Sequence, residues 1–185
     1  MARYVPRQRA PRTGSRLAAV LVPILIDERV GANAQVLFLV RPMTLTAHSG
    51  QVAFPGGRID PGDADPVAAA LREAEEELGI PRELPEVIGQ LDQLDTHTGF
   101  HITPVVAILR VPLAITPSPI EVASHFQVPL GVLADPREHR TMRGLRQPKG
   151  AIAGSEMRLH FWVNAPQTIW GATGYMLSNL LSALG

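Results

Sequence analysis

The 185-residue chain contains no cysteine, so it forms no disulfide, offers no thiolate to a metal and has no cysteine nucleophile. That absence fits a reducing compartment. The chain also lacks net charge, with 17 basic residues against 17 acidic ones, and nothing in that balance suggests a general binder of nucleic acid or of a membrane surface. No apolar run reaches the length of a membrane span. The longest, residues 17–26, contains Pro23 and follows an arginine-rich start without a small-residue cleavage site, so it reads as a core strand rather than a secretory signal. Internal repeats and low-complexity tracts are missing too. The expectation is one cytoplasmic domain, residues 17–185, preceded by a basic arm over residues 1–16 that carries five arginines and no acid. Such an arm is more often a flexible solubilising terminus than a binding element.

What the chain does have is a cluster of carboxylates. Within Arg72-Glu73-Ala74-Glu75-Glu76-Glu77, three glutamates, Glu73, Glu76 and Glu77, stand three and four residues apart, and on a helix they share one face. Like charges at these spacings repel by a few tenths of a kcal/mol per pair, and Glu75 to Glu77 fall in the last turn, where the helix dipole disfavours negative charge. A divalent cation reverses both penalties, since carboxylate oxygens suit Mg²⁺ or Mn²⁺. A run of glutamates taken alone is more often a solvated helix face. Its flanks argue for more. Asp65-Pro66 supplies an N-cap and first helical residue, Val67, Ala70, Leu71 and Ala74 an apolar stripe, and Gly79 a C-cap, which predicts a helix over residues 66–78. Immediately upstream, Phe54-Pro55-Gly56-Gly57-Arg58 reads as a tight loop whose paired glycines let the backbone approach a ligand or a metal.

The segment resembles the signature of the Nudix hydrolases, whose places are filled by Gly57, Asp63, Arg72, Glu73, Glu76, Glu77, Gly79 and Ile80. Asp63 replaces the usual glutamate, and eight residues rather than the usual seven separate it from Arg72. This insertion is similar to the coenzyme A pyrophosphatase branch of the family. So is an upstream pattern matched by Leu39, Arg41, Leu45, His48, Gly50, Gln51, Val52 and Phe54 through Gly57, with Val40 and Pro42 departing from it.

The resemblance implies an α/β fold, a Nudix-type α/β/α sandwich with a mixed β-sheet. It implies a metal-dependent diphosphatase that uses Mg²⁺ or Mn²⁺ and acts on a small nucleotide of the coenzyme A type, giving 3′,5′-ADP and phosphopantetheine. Metal ligands are expected at Glu73, Glu76 and Glu77, and a backbone carbonyl of Gly56 or Gly57 could join them. Arg72 is expected to orient a glutamate. The general base stays open between Glu76 and Glu121. Arg41, His48 and Gln51, with Gly56 and Gly57, are the substrate-binding candidates, although a lone loop histidine is more often structural. Met43 and Phe54 are read as buried loop residues before being read as contacts for a pantetheine arm. Another Nudix substrate, such as ADP-ribose, a dinucleotide or a noncanonical nucleoside triphosphate, remains open, as does a silent nucleotide-binding domain. So does a homodimer.

Around the motif, strands are expected at residues 17–26, 35–40, 51–53, 87–94, 101–111 and 121–128, and a short helix near 130–133. Residues 135–150 read as irregular. A strand at 157–163 is expected to hairpin with 151–153, before a closing helix at 173–184.

Overall fold

A computed structural model describes residues 4–30, 33–43, 49–145 and 156–185. The elements in chain order are β1 (Arg16–Ile26), β2 (Gln35–Val40), β3 (Val52–Ala53), β4 (Gly56–Arg58), α1 (Pro66–Leu78), β5 (Glu86–Gln90), β6 (Leu94–Asp95), β7 (Phe100–Arg110), β8 (Ser124–Pro129), α2 (Leu130–Leu133), β9 (His139–Leu145), β10 (Glu156–Trp162) and α3 (Gly171–Leu184).

β1 is the spine because both its faces are apolar, the pattern of a strand covered on two sides. Ala19 and Leu21 pack with Ala69, Ala70 and Ala74 of α1, whereas Val20, Val22 and Ile24 join a cluster with Met176, Leu177 and Leu180 of α3. Alternation along the strand thus builds two cores. β7 runs parallel to β1 along its whole length, and β2 and β4 pair antiparallel with opposite ends of it. Pro23 falls between those two partners, where β1 is paired on one side only. The sheet is therefore mixed, with helices on both faces, and the α/β/α sandwich stands as expected.

Three expectations need correction. Gly56 and Gly57 belong to a strand, β4, because their backbone pairs with Val20 and Ala19, a pairing that small residues permit and no side-chain pattern reveals. Residues 139–145, expected to be irregular, form β9, which pairs with β10 from His139↔Trp162 to Leu145↔Glu156; a charged strand outside the main sheet lacks the apolar alternation that would announce it. Residues 151–153, the expected partner of that strand, lie outside the described residues, as do Leu45 and His48. Glu121 sits in a turn, and β8 begins only at Ser124.

Along the open edge of β6, the first described residues are held by hydrogen bonds. The Tyr4 hydroxyl and the Arg7 amide donate to Asp92, and the Arg9 amide donates to the Gln93 side chain. Among the described residues no helix is long and apolar enough to cross a membrane.

Candidate active site

α1 begins where its caps predict. The Asp65 carboxylate accepts from the Ala68 amide at 2.8 Å, Pro66 occupies the first turn, and Gly79 closes the helix in the left-handed region at φ 66°. The buried stripe of α1 is Ala69, Ala70, Ala74, Glu77 and Leu78. Alanine brings the helix close to β1 and β7. Glu77 thus occupies a sheet-facing position that hydrophobicity would give to a leucine.

With the residue only 3% exposed, the Glu77 carboxylate has two partners. It accepts the Gly56 amide at 2.9 Å and lies 3.6 Å from Arg41. Burial pushes its pKa from 4.5 up to about 8, against the downward pull of the Gly56 amide and of Arg41. Glu73, one turn earlier, is pushed upward too, chiefly by burial. Its carboxylate rests where a Cβ on Gly57 would be, 2.6 Å from Glu73 Cδ. The two glycines of β4 therefore receive two carboxylates of α1.

Arg72 organises the rest. Its Nε and Nη2 donate to the two oxygens of Asp63, both at 3.0 Å, and Nη2 also donates to the Arg58 carbonyl. Nη1 donates to Glu73 at 3.1 Å and to Glu76 at 2.9 Å. The Arg72 guanidinium holds the Asp63 carboxyl below the usual range, and Asp63 in turn holds the arginine firmly charged. Sequence reasoning took Asp63 as a motif position without a role; its part is to fix the arginine, and its place in the motif was the available signal. The Arg58 carbonyl carried no signal at all.

The loop after β7 completes the site. Ser118 and Thr116 amides donate to the Glu77 and Leu78 carbonyls at 2.9 and 2.8 Å, satisfying acceptors that the end of a helix leaves open. This docking brings Glu121 close enough for its charge to add to the upward push on Glu73 and Glu77. Arg41 meets the site from the end of β2, its amide bonded to the Gln51 carbonyl at 3.0 Å. Phe54 is core, stacked on Phe38 at 5.1 Å between ring centres, whereas Met43, expected to be buried, is 78% exposed.

The donors suit a hard divalent cation: carboxylate oxygens, two of them with pKa values raised by burial, brought against glycines that have no side chain to keep them away. Among the described residues, however, no three acidic or histidine side chains converge as a finished cage. Glu76 and Glu73 are turned to Arg72 instead. Glu73 and Glu77, whose carboxylates both meet β4, are the residues that could hold a cation.

An α/β/α sandwich that sets carboxylates of one helix beside a glycine strand is an arrangement suited to a hydrolase of phosphoanhydrides that works with divalent cations. The NUDIX domain matches residues 15–141, and the chain belongs to the Nudix family. An uncharacterized Nudix hydrolase, NudL of Photorhabdus laumondii, is 37% identical over 166 residues, covering 90% of this chain and 83% of that protein. The NudL of Salmonella newport is 36% identical over 180 residues, covering 97% and 88%. Among solved structures, a Caenorhabditis elegans Ap4A hydrolase in a binary complex superposes with a TM-score of 0.51 at 25% identity, over 62% of this chain and 80% of that one. RenU, a Nudix hydrolase of Mycobacterium smegmatis, gives 0.53 at 26%, over 65% and 74%. The chain is a hydrolase of diphosphate-linked nucleotide compounds, in a family that generally requires divalent metal ions.

Proposed function

We propose that the substrate is coenzyme A or an acyl-CoA, cleaved at its diphosphate to 3′,5′-ADP and the corresponding phosphopantetheine, with Mg²⁺ or Mn²⁺ bound. The observation that carries this reading is the 3.6 Å contact between Arg41 and Glu77. Arg41 belongs to the upstream pattern and Glu77 to the carboxylate helix, so the element that resembles coenzyme A pyrophosphatases abuts the residues that would hold the cation.

In this reading Glu73 and Glu77 would hold the cation, and Glu76 would hold a second or orient water. A cation held there would supply neutralisation of phosphate charge and a more acidic water. Arg72, saturated by Asp63, Glu73, Glu76 and the Arg58 carbonyl, is a positioning residue with no donor to spare for substrate. Arg41, Gln51 and His48, all of the upstream segment, are the residues to contact the diphosphate, with an oxygen meeting the Arg41 guanidinium beside Glu77. Glu121 is the favoured base, since Glu76 is tied to Arg72.

The likeness to an Ap4A hydrolase supports a second reading, a dinucleotide diphosphatase. Incubation of the purified chain with Mg²⁺ or Mn²⁺ and coenzyme A, ADP-ribose, NADH, diadenosine tetraphosphate or nucleoside triphosphates, with products identified by mass, separates the two. Coenzyme A is expected to turn over fastest; much poorer turnover of it than of the others overturns the proposal.

A further inference from the structure

Three side chains at the open ends of the central strands lie outside the machinery above. Arg16 begins β1, Phe100 begins β7 in register with it, and Arg58 ends β4 opposite Ala18. The Arg16 guanidinium carbon lies 3.9 Å from the centre of the Phe100 ring, and that of Arg58 reaches the same ring at 6.0 Å. Arg16 is further anchored by donating Nη2 to the Thr98 carbonyl at 2.8 Å. Both arginines are exposed, and among the described residues neither has a carboxylate within ion-pair distance, in contrast to Arg12, Arg41 and Arg72.

Two uncompensated cations gathered on one aromatic ring repel each other, so stability alone does not favour the arrangement. An anion between them removes the conflict. Guanidinium groups gathered over one ring, one of them also anchored on a carbonyl, are pre-organised forks for phosphate oxygens. The location matters as much. Arg58 follows Gly56 by two residues, about 7 Å of strand, and the Gly56 amide is the group that holds Glu77. Alternation turns Arg58 to the face opposite the one from which Glu73 approaches Gly57. An anion bound here is therefore kept apart from the carboxylates while remaining within reach of one ligand that crosses the free edge of β4.

We propose that Arg16 and Arg58, gathered on Phe100, form a subsite for a phosphate monoester on the ribose at the nucleoside end of the substrate. The enzyme then selects nucleotides that carry such a phosphate over those with a bare ribose. This inference rests on the coenzyme A reading, because coenzyme A carries a 3′-phosphate beside its diphosphate.

The test measures binding of 3′,5′-ADP and of 5′-AMP to the full chain by calorimetry, together with KM for coenzyme A and 3′-dephospho-coenzyme A. One charge-assisted hydrogen bond corresponds to about tenfold in affinity, so the protein is expected to prefer 3′,5′-ADP by at least that factor. Arg58→Gln and Arg16→Gln should each collapse the preference and raise KM for coenzyme A severalfold more than KM for the dephosphorylated substrate. Arg58→Lys should restore part of it. Equal affinity for the two nucleotides, or a preference that survives both Gln variants, overturns the subsite. A protein that keeps the preference and loses it in the variants, yet does not cleave coenzyme A, refutes the proposed substrate and leaves the subsite standing.

Discussion

The Gly56 amide donates to the Glu77 carboxylate at 2.9 Å across 21 residues of chain, which ties the glycine strand to the carboxylate helix at its most buried acid. Glu77→Gln keeps the size of the side chain, and its amide oxygen can still accept from Gly56. Its charge is lost, and with it a ligand of the cation. Metal-dependent turnover is expected to fall by at least about 10²-fold, while the circular dichroism spectrum and melting transition remain those of a folded protein. Turnover at the level of the unaltered enzyme would remove Glu77 from the proposed ligands.

Adjacent glycines should fail in different ways. A Cβ on Gly57 would meet only the end of the Glu73 side chain, 2.6 Å from its Cδ. Glu73 can swing aside, so Gly57→Ala should fold with a loss of stability under about 1 kcal/mol but bind Mn²⁺ more weakly, as titration calorimetry would show. On Gly56 the same atom would lie 2.6 Å from Val20 Cα, and backbone cannot swing aside. Gly56→Ala should cost about 2–3 kcal/mol, read from urea unfolding. Reversal of the two outcomes would mean that the glycines serve the strand pairing alone.

The boundaries of α1 were legible because Asp65, Pro66 and Gly79 act locally, within a turn of the backbone they cap. β1 announced itself by apolar continuity. β4 did not, since Gly-Gly-Arg carries no alternation and is a strand only because β1 lies beside it. β9 was concealed by its charge. Within the site, the shared face of Glu73, Glu76 and Glu77 follows from helical geometry, yet their unequal environments do not: Glu77 is enclosed, while the Glu76 side chain remains 50% exposed. That difference is set by the approach of β4 and by the docking of residues 116–118, contacts between segments distant in sequence.

The same docking argues for Glu121 over Glu76 as the base. Glu76 is held by Arg72 at 2.9 Å, so its carboxylate is already engaged by a donor rather than open to an attacking water. Glu121 lies close enough to act electrostatically on both Glu73 and Glu77. Glu121→Gln is expected to lower kcat by about 10²–10⁴-fold, with the Mn²⁺ dissociation constant changed little. Glu76→Gln should instead weaken metal binding. If Glu121→Gln retains kcat, the turn that carries it contributes packing alone.

The raised pKa of Glu77 also sets how the metal-free protein responds to pH. Its folded pKa, about 8, lies above the ordinary value of 4.5, so the folded state holds a proton that the unfolded chain has released. A group shifted in this direction contributes stability that is complete below about pH 4.5 and is lost as pH rises through about 8. Glu73 is shifted in the same direction and adds to the trend. In EDTA, the melting temperature of the unaltered protein should therefore fall relative to that of Glu77→Gln as pH is raised from 5 to 9, because the glutamine stands in for a permanently neutral acid. The stability difference behind this gap should amount to a few kcal/mol at most and level off once Glu77 is ionised. Excess Mn²⁺ should close it for the unaltered protein above pH 8, where the cation no longer competes with a proton for the carboxylate and stabilises the folded state by binding to it. A gap that stays constant across this range would show that Glu77 is already ionised at pH 5, held so by Arg41 and the Gly56 amide rather than awaiting a cation.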